Sequence, residues 1–140
     1  DLSLPYINVT DHLKLKNKIV IQRSFRFRNI YINYKFLNNF EDLLFIGIKD
    51  EFDDLKKQIP NLEWYNPKSF YEVAQIIKSS RFFIGNSSSC YSIAEALKVP
   101  RLLEASPDYP VVQPIGKDAF DFYFQPHFEK WFNHLYKKTK

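Results

Sequence analysis

Methionine is absent from this 140-residue chain, and cysteine occurs once. With no methionine at Asp1 or anywhere after it, the chain is expected to be a piece of a longer protein. The lone Cys90 excludes an internal disulfide. His12, His127 and His134 have no ligand-like spacing with it, so no structural metal site is expected. Also missing is any apolar run near the roughly 20 residues needed to span a bilayer, and the start lacks the charged-apolar-small pattern of a signal peptide. The expected location is therefore cytoplasmic, with no transmembrane segment.

What is present is apolar and aromatic. Hydrophobic residues make up 45% and aromatic residues 18%, with Phe and Tyr far ahead of Trp, which excludes a disordered or fibrous chain. A chain of this length forms one domain and buries roughly two thirds of its unfolded surface. The net charge of +4 is partly focused, at Arg23, Arg26 and Arg28 and again at Lys130, Lys137, Lys138 and Lys140. Both clusters attract phosphate in principle. The lysine tail reads as a solvated helix end whose cations complement the helix dipole. A nucleic-acid partner is not expected.

Five segments have the character of strands: Lys18–Gln22, Leu43–Gly47, Leu62–Tyr65, Arg81–Gly85 and Arg101–Glu104. Helical patterns fall between them, at Asn33–Phe40, at Glu51–Gln58 with Asp50 as a candidate cap, at Ser69–Lys78 and at Cys90–Lys98. Ser69-Phe-Tyr-Glu72 has the form of a capping box and sets Phe70, Val73 and Ile77 on one face. The tail from Phe120 to Lys140 reads as one or two closing helices, with Phe128, Trp131 and Leu135 as a packing stripe. Residues 1–17 read as an N-terminal linker and 18–140 as the domain. Alternating strands and helices imply an α/β class: a single Rossmann-like domain with a mainly parallel sheet of about five strands and right-handed crossovers. Ligands of such sheets bind outside the carboxyl ends of the strands, where the strand order reverses.

Two turns at those ends are chemically unusual. Gly85-Asn-Ser-Ser-Ser89 joins a hydrophobic strand to a helix start, where free N–H groups and the positive dipole end favour an anion and the serines add donors. A plain cap at Ser88 or Ser89 accounts for one serine only. Glu95, less than two turns on, is either a surface carboxylate or an acceptor for vicinal ribose hydroxyls. Gln22-Arg-Ser-Phe-Arg-Phe-Arg-Asn29 follows the first strand. Its arginines form either a solvated edge or a phosphate clamp, with Arg23 first and Arg28 behind it.

The stretch from Phe83 to Pro100, with its Gly/Ser turn followed by Glu95-Ala96 and Val99-Pro100, resembles the sugar-nucleotide loop of the GT-B glycosyltransferase superfamily. Val73–Ile84 resembles the equivalent segment of heptosyltransferase-like enzymes, and Gly-Asn-Ser-Ser-Ser is similar to the loop of non-hydrolysing UDP-N-acetylglucosamine 2-epimerases. The resemblance spans roughly Lys18 to Glu104, and its motif lies in the last third. It implies the C-terminal, donor-binding half of a glycosyltransferase whose N-terminal acceptor domain is missing from the chain. It implies a nucleotide-sugar as substrate rather than a cofactor, with no metal. Carried over by position, Ser88 and Ser89 would hold the diphosphate and Glu95 the ribose, with Asn86 and Ser87 as further binding residues of the same turn and Arg23 and Arg28 at the leaving charge; Tyr65 and Asn66 would lie near the base. Two positions depart from the pattern. Cys90 stands where these families place glycine after the serines, and Lys98 replaces the glycine before Val-Pro, so a left-handed helix end there would strain it. Half of a UDP-sugar epimerase and a degenerate, non-catalytic Rossmann module remain as alternatives.

Overall fold

In this computed structural model, which describes residues 2–110 and 113–140, four strands are wholly buried: β1 (Ile19–Gln22), β2 (Leu43–Ile46), β4 (Phe82–Asn86) and β5 (Arg101–Glu104). Their sequences are nearly continuous apolar runs, as expected when helices cover both faces of a parallel sheet. Two flanking strands are less buried, β3 (Glu63–Tyr65) and β6 (Ala119–Phe122). The six strands form one sheet in the order β3-β2-β1-β4-β5-β6, and every pairing is parallel. The chain is an α/β, Rossmann-like domain, as its alternation of elements implies.

Successive strand residues point to opposite faces, and this divides the core in two. Ile19, Ile21, Phe45, Phe82, Ile84 and Phe122 face one layer, containing α1 (Lys49–Lys56) and α4 (Gln125–Lys138). Val20, Leu44, Ile46, Phe83 and Leu103 face the other, containing α2 (Phe70–Lys78) and α3 (Ser89–Leu97). The described residues before β1 form no helix or strand and run along the second layer. The Tyr6 N–H donates to the Ala96 carbonyl at 3.0 Å, and the His12 N–H to the Ser79 hydroxyl at 2.8 Å. Among the described residues no helix is long and apolar enough to cross a membrane.

Several local expectations are corrected. Asn33–Phe40 contains a short 3-10 turn, Lys35–Asn39, instead of an α-helix. Asp50 does not cap α1; the helix starts at Lys49, behind Ile48, and Asp50 lies in its first turn. The tail does not open with a helix at Phe120, because Ala119–Phe122 pairs in parallel with β5 and only Gln125 onward is helical. Aromatic packing explains the strand. Phe122 stacks on Phe128 at 4.1 Å and Phe120 on Trp131 at 3.9 Å, so β6 gains a hydrophobic face only against the helix that follows it. The cap of α2 is half of a capping box: the Ser69 hydroxyl accepts from the Glu72 N–H, while the Glu72 carboxylate accepts from the Lys68 N–H instead of that of Ser69. Val73 and Ile77 are buried as expected, but Phe70 is 74% exposed.

Candidate functional site

Strands β1 and β4 are neighbours whose chains leave in opposite directions, to β2 and to β5. The order reverses between them, and a crevice is expected at their carboxyl ends. The two unusual turns meet there. Asn86 is fully buried, and its side chain fastens one turn to the other. Its Oδ1 accepts from the Ser24 N–H at 3.1 Å and hydroxyl at 3.0 Å, and its Nδ2 donates to the carbonyls of Ser24 at 2.9 Å and Arg26 at 2.8 Å. Asn86 thus shapes the crevice from beneath.

Ser88 caps α3, accepting from the Tyr91 N–H and donating to Gln22 Oε1 at 2.8 Å. Gln22 in turn donates to Glu51 Oε1 at 3.3 Å, and Glu51 Oε2 accepts the Phe25 N–H at 3.1 Å. The hydroxyls of half-buried Ser87 and exposed Ser89 make no hydrogen bond among the described residues. The first N–H groups of α3 lack intrahelical partners by position. Two hydroxyls and a helix start are therefore available at one turn. Burial and then the Glu51 charge push the Cys90 thiol up to about 11, so at neutral pH it is a protonated thiol and not a nucleophile.

The arginine turn does not line this crevice as a row of cations. Arg23 is buried and turned inward, its Nε 2.8 Å from Glu104 Oε1 and its Nη2 3.0 Å from Oε2. Arg28 Nη1 pairs with Asp54 at 2.7 Å, and its Nε donates to the Ser24 carbonyl at 3.0 Å. The positive φ of Phe27, 61°, lets this turn double back under Asn86.

Glu95 also has internal partners. Arg101 Nε and Nη2 lie 2.9 Å from its Oε1, and Lys98 pairs with its Oε2. Burial works to raise its pKa, but the Lys98 hydrogen bond and the Arg101 charge outweigh it and hold the carboxylate below its ordinary value. Lys98 has φ 56°, so α3 does end in the left-handed conformation, which strains a residue with a side chain. Ser87, Ser88 and Glu95 do share a cavity of about 230 Å³ with Tyr6. Cys90, about 140° from Glu95 around the helix, borders a different and larger cleft of about 440 Å³ with Gly47, Asn66 and Phe70. Ribose on Glu95 and a base beside Asn66 therefore belong to opposite sides of α3.

Tyr65, at the end of β3, donates its hydroxyl to Glu72 Oε2 at 2.6 Å, and His12 Nε2 lies 3.1 Å from the same oxygen. The Tyr65 hydrogen bond first, then the Lys68 N–H, bring Glu72 down to about 2 from 4.5. A carboxylate with a depressed native pKa contributes stability that is present above its unfolded pKa and lost as pH falls through the native one. The expected result is that the parent loses more stability than Glu72→Gln between pH 4.5 and about 2. Urea midpoints at a series of pH values measure this, and parallel curves for the two proteins would refute it.

No signal in the sequence showed that Arg23 and Arg28 are paired within the protein, or separated Glu95 from a surface carboxylate, because their partners Glu104, Asp54 and Arg101 come from separate elements. Among the described residues no cluster of His, Cys, Asp and Glu is placed to hold a metal ion. The chain matches no protein-family model, and no curated protein sequence matches it.

Proposed function

We propose that this domain binds the nucleotide-sugar donor of a cytoplasmic glycosyltransferase, taking the diphosphate at the first turn of α3. The observation that carries the reading is the coincidence, at the reversal of strand order, of a helix start with two uncommitted hydroxyls, Ser87 and Ser89. Backbone N–H groups of Ser89 and Cys90 are the further donors, and leaving-group charge is stabilised by these dipoles. Arg23 and Glu95 serve the scaffold in this reading: one anchors the turn after β1, the other the end of α3. The nearby carboxylates Glu51 and Glu95 are both hydrogen-bonded within the protein, so the general base and the acceptor site belong to a second domain.

Calorimetric titration of UDP, GDP, ADP and CMP into the domain tests this. Saturable binding of one of them is expected, weakened about tenfold or more when Ser87→Ala and Ser89→Ala are combined, as for lost hydrogen bonds to a charged group. Absence of heat at millimolar concentration with all four would reject it. The inward commitment of Arg23 and Glu95 favours one competing reading, a Rossmann module that keeps the fold without a ligand, and that reading expects the silent titration.

A further inference from the structure

The turns after β1 and β5 carry exposed apolar side chains that the start of α3 does not use. Phe25, Phe27 and Ile30 from the first turn and Tyr109 from the second are all exposed, Ile30 by 80%, and with Arg26 and Arg28 they line a concavity of about 480 Å³. Large apolar side chains left open around one hollow mark a binding surface, and this volume lies in the range of small-molecule sites.

The hollow stands on fixed backbone. Buried Asn29 donates from Nδ2 to the carbonyls of Ala105 at 2.8 Å and Tyr123 at 2.7 Å, which fastens the turn after β1 to the residues that follow β5 and β6. The Arg26 carbonyl is held twice, by Asn86 Nδ2 at 2.8 Å and by the Ser24 hydroxyl at 3.2 Å. Phe27 then takes φ 61°, a conformation that glycine and asparagine adopt readily and a bulky side chain does not. Such strain persists where the surroundings impose it, and it clusters at ligand sites. What Phe27 supplies in return is a ring, which meets Tyr109 edge to face with centroids 5.3 Å apart and so joins the two turns.

Charge selects the ligand. Arg28 is neutralised by Asp54, but the Arg26 guanidinium makes no hydrogen bond or ion pair among the described residues and lies 5.7 Å from the Phe27 ring centroid. No acidic side chain lines the hollow. One unneutralised cation among four apolar side chains complements an anion with an apolar body, and a guanidinium fork matches both oxygens of a carboxylate. A flexible chain of methylenes can follow walls supplied by four separate side chains, whereas a compact polar anion leaves Phe25, Ile30 and Tyr109 without contact. From this we infer that the hollow binds a medium-chain carboxylate, with its acyl chain against Phe25, Phe27, Ile30 and Tyr109 and its head on Arg26. The site is separate from the first turn of α3, goes beyond donor binding and needs no nucleotide.

Calorimetric titration of decanoate below its micelle concentration, with hexanoate for comparison, tests this on the parent, Arg26→Gln, Phe27→Asn and Phe70→Ala. Each buried methylene is worth about fourfold in affinity, so decanoate should bind at least tenfold more tightly than hexanoate. Arg26→Gln should weaken decanoate about tenfold, as for a lost hydrogen bond to a charged group. Phe27→Asn should weaken it by a similar factor while its urea midpoint is no lower than the parent's, because asparagine relieves the strained turn. Phe70→Ala removes an exposed ring from the other cleft and should change nothing. Absence of saturable decanoate binding overturns the inference, as does affinity that survives Arg26→Gln or Phe27→Asn, or that falls equally with Phe70→Ala. A lowered midpoint for Phe27→Asn would show that the ring is kept for packing and also overturns it. Binding to phosphatidylglycerol vesicles without binding of monomeric decanoate would make the patch a membrane contact instead. None of these outcomes bears on the nucleotide titration, which tests the donor-binding reading by itself.

Discussion

Glu104→Ala is expected to lower the free energy of unfolding by about 3–5 kcal/mol, the range for breaking a buried ion pair from one side. Glu104 ends β5 with no solvent exposure, and its carboxylate is the meeting point of four donors. Besides the two Arg23 bonds, its Oε2 accepts the Asn29 N–H at 2.8 Å and its Oε1 accepts the Tyr34 hydroxyl at 2.6 Å. Burial first and the Glu104 charge second push the Tyr34 pKa well above that of an ordinary phenol, so the hydroxyl stays protonated and donates. Removing the carboxylate leaves a guanidinium, a phenol and an N–H in a dry site.

The cost comes mainly from the orphaned charge, so it has a testable signature. Combining Arg23→Met with Glu104→Leu should cost less than Glu104→Ala alone, although the Asn29 and Tyr34 donors keep the pair from being neutral. Urea unfolding followed by the fluorescence of Trp64 and Trp131 measures both. A Glu104→Ala protein within about 1 kcal/mol of the parent would mean that water reaches the network and that Arg23 is available to a ligand after all.

Arg101→Met carries the second large effect, a loss of about 3 kcal/mol with an acid limb moved to higher pH. Arg101 is wholly buried at the start of β5. Beyond Glu95, it donates from Nη1 to the Val99 carbonyl at 2.9 Å and from Nη2 to the Ile115 carbonyl at 2.6 Å. A thioether of similar length fills the space but satisfies none of these acceptors. The sign of the pH effect follows from Glu95. Its native pKa is depressed, so its contribution is present above the unfolded value and lost as pH falls through the native value. Without Arg101 that native value rises, and the loss begins at higher pH. Urea midpoints from neutral to acid pH report both changes, and an unshifted acid limb would show that Lys98 alone sets the Glu95 titration.

The two ion-pair centres explain which parts of the site were legible. A helix start with serines is a local arrangement, and the turn from Gly85 to Ser89 formed where its sequence implied, with Ser88 as the cap. A charged side chain's destination is not local. Arg23 meets Glu104 across 81 positions and Arg28 meets Asp54 across 26, so their sequence neighbours carry no trace of the pairing. Phe70 shows the same limit for apolar residues. Its spacing places it on the stripe with Val73 and Ile77, but whether anything lies beneath that end of the stripe depends on where the sheet stops.

By itself, then, the sequence determined the class of fold, since runs such as Ile19–Ile21 and Phe82–Ile84 can be satisfied only by burial on both faces, and the helices between them supply the cover. It also determined the serine-capped turn that begins α3, because capping depends on residues three apart. Tertiary structure alone decided that β6 exists, that Arg23 and Glu95 face inward, and that an open cleft adjoins the first turn of α3. Each of these rests on contacts between separate elements, where the balance between desolvation and pairing is set by the partner the fold delivers.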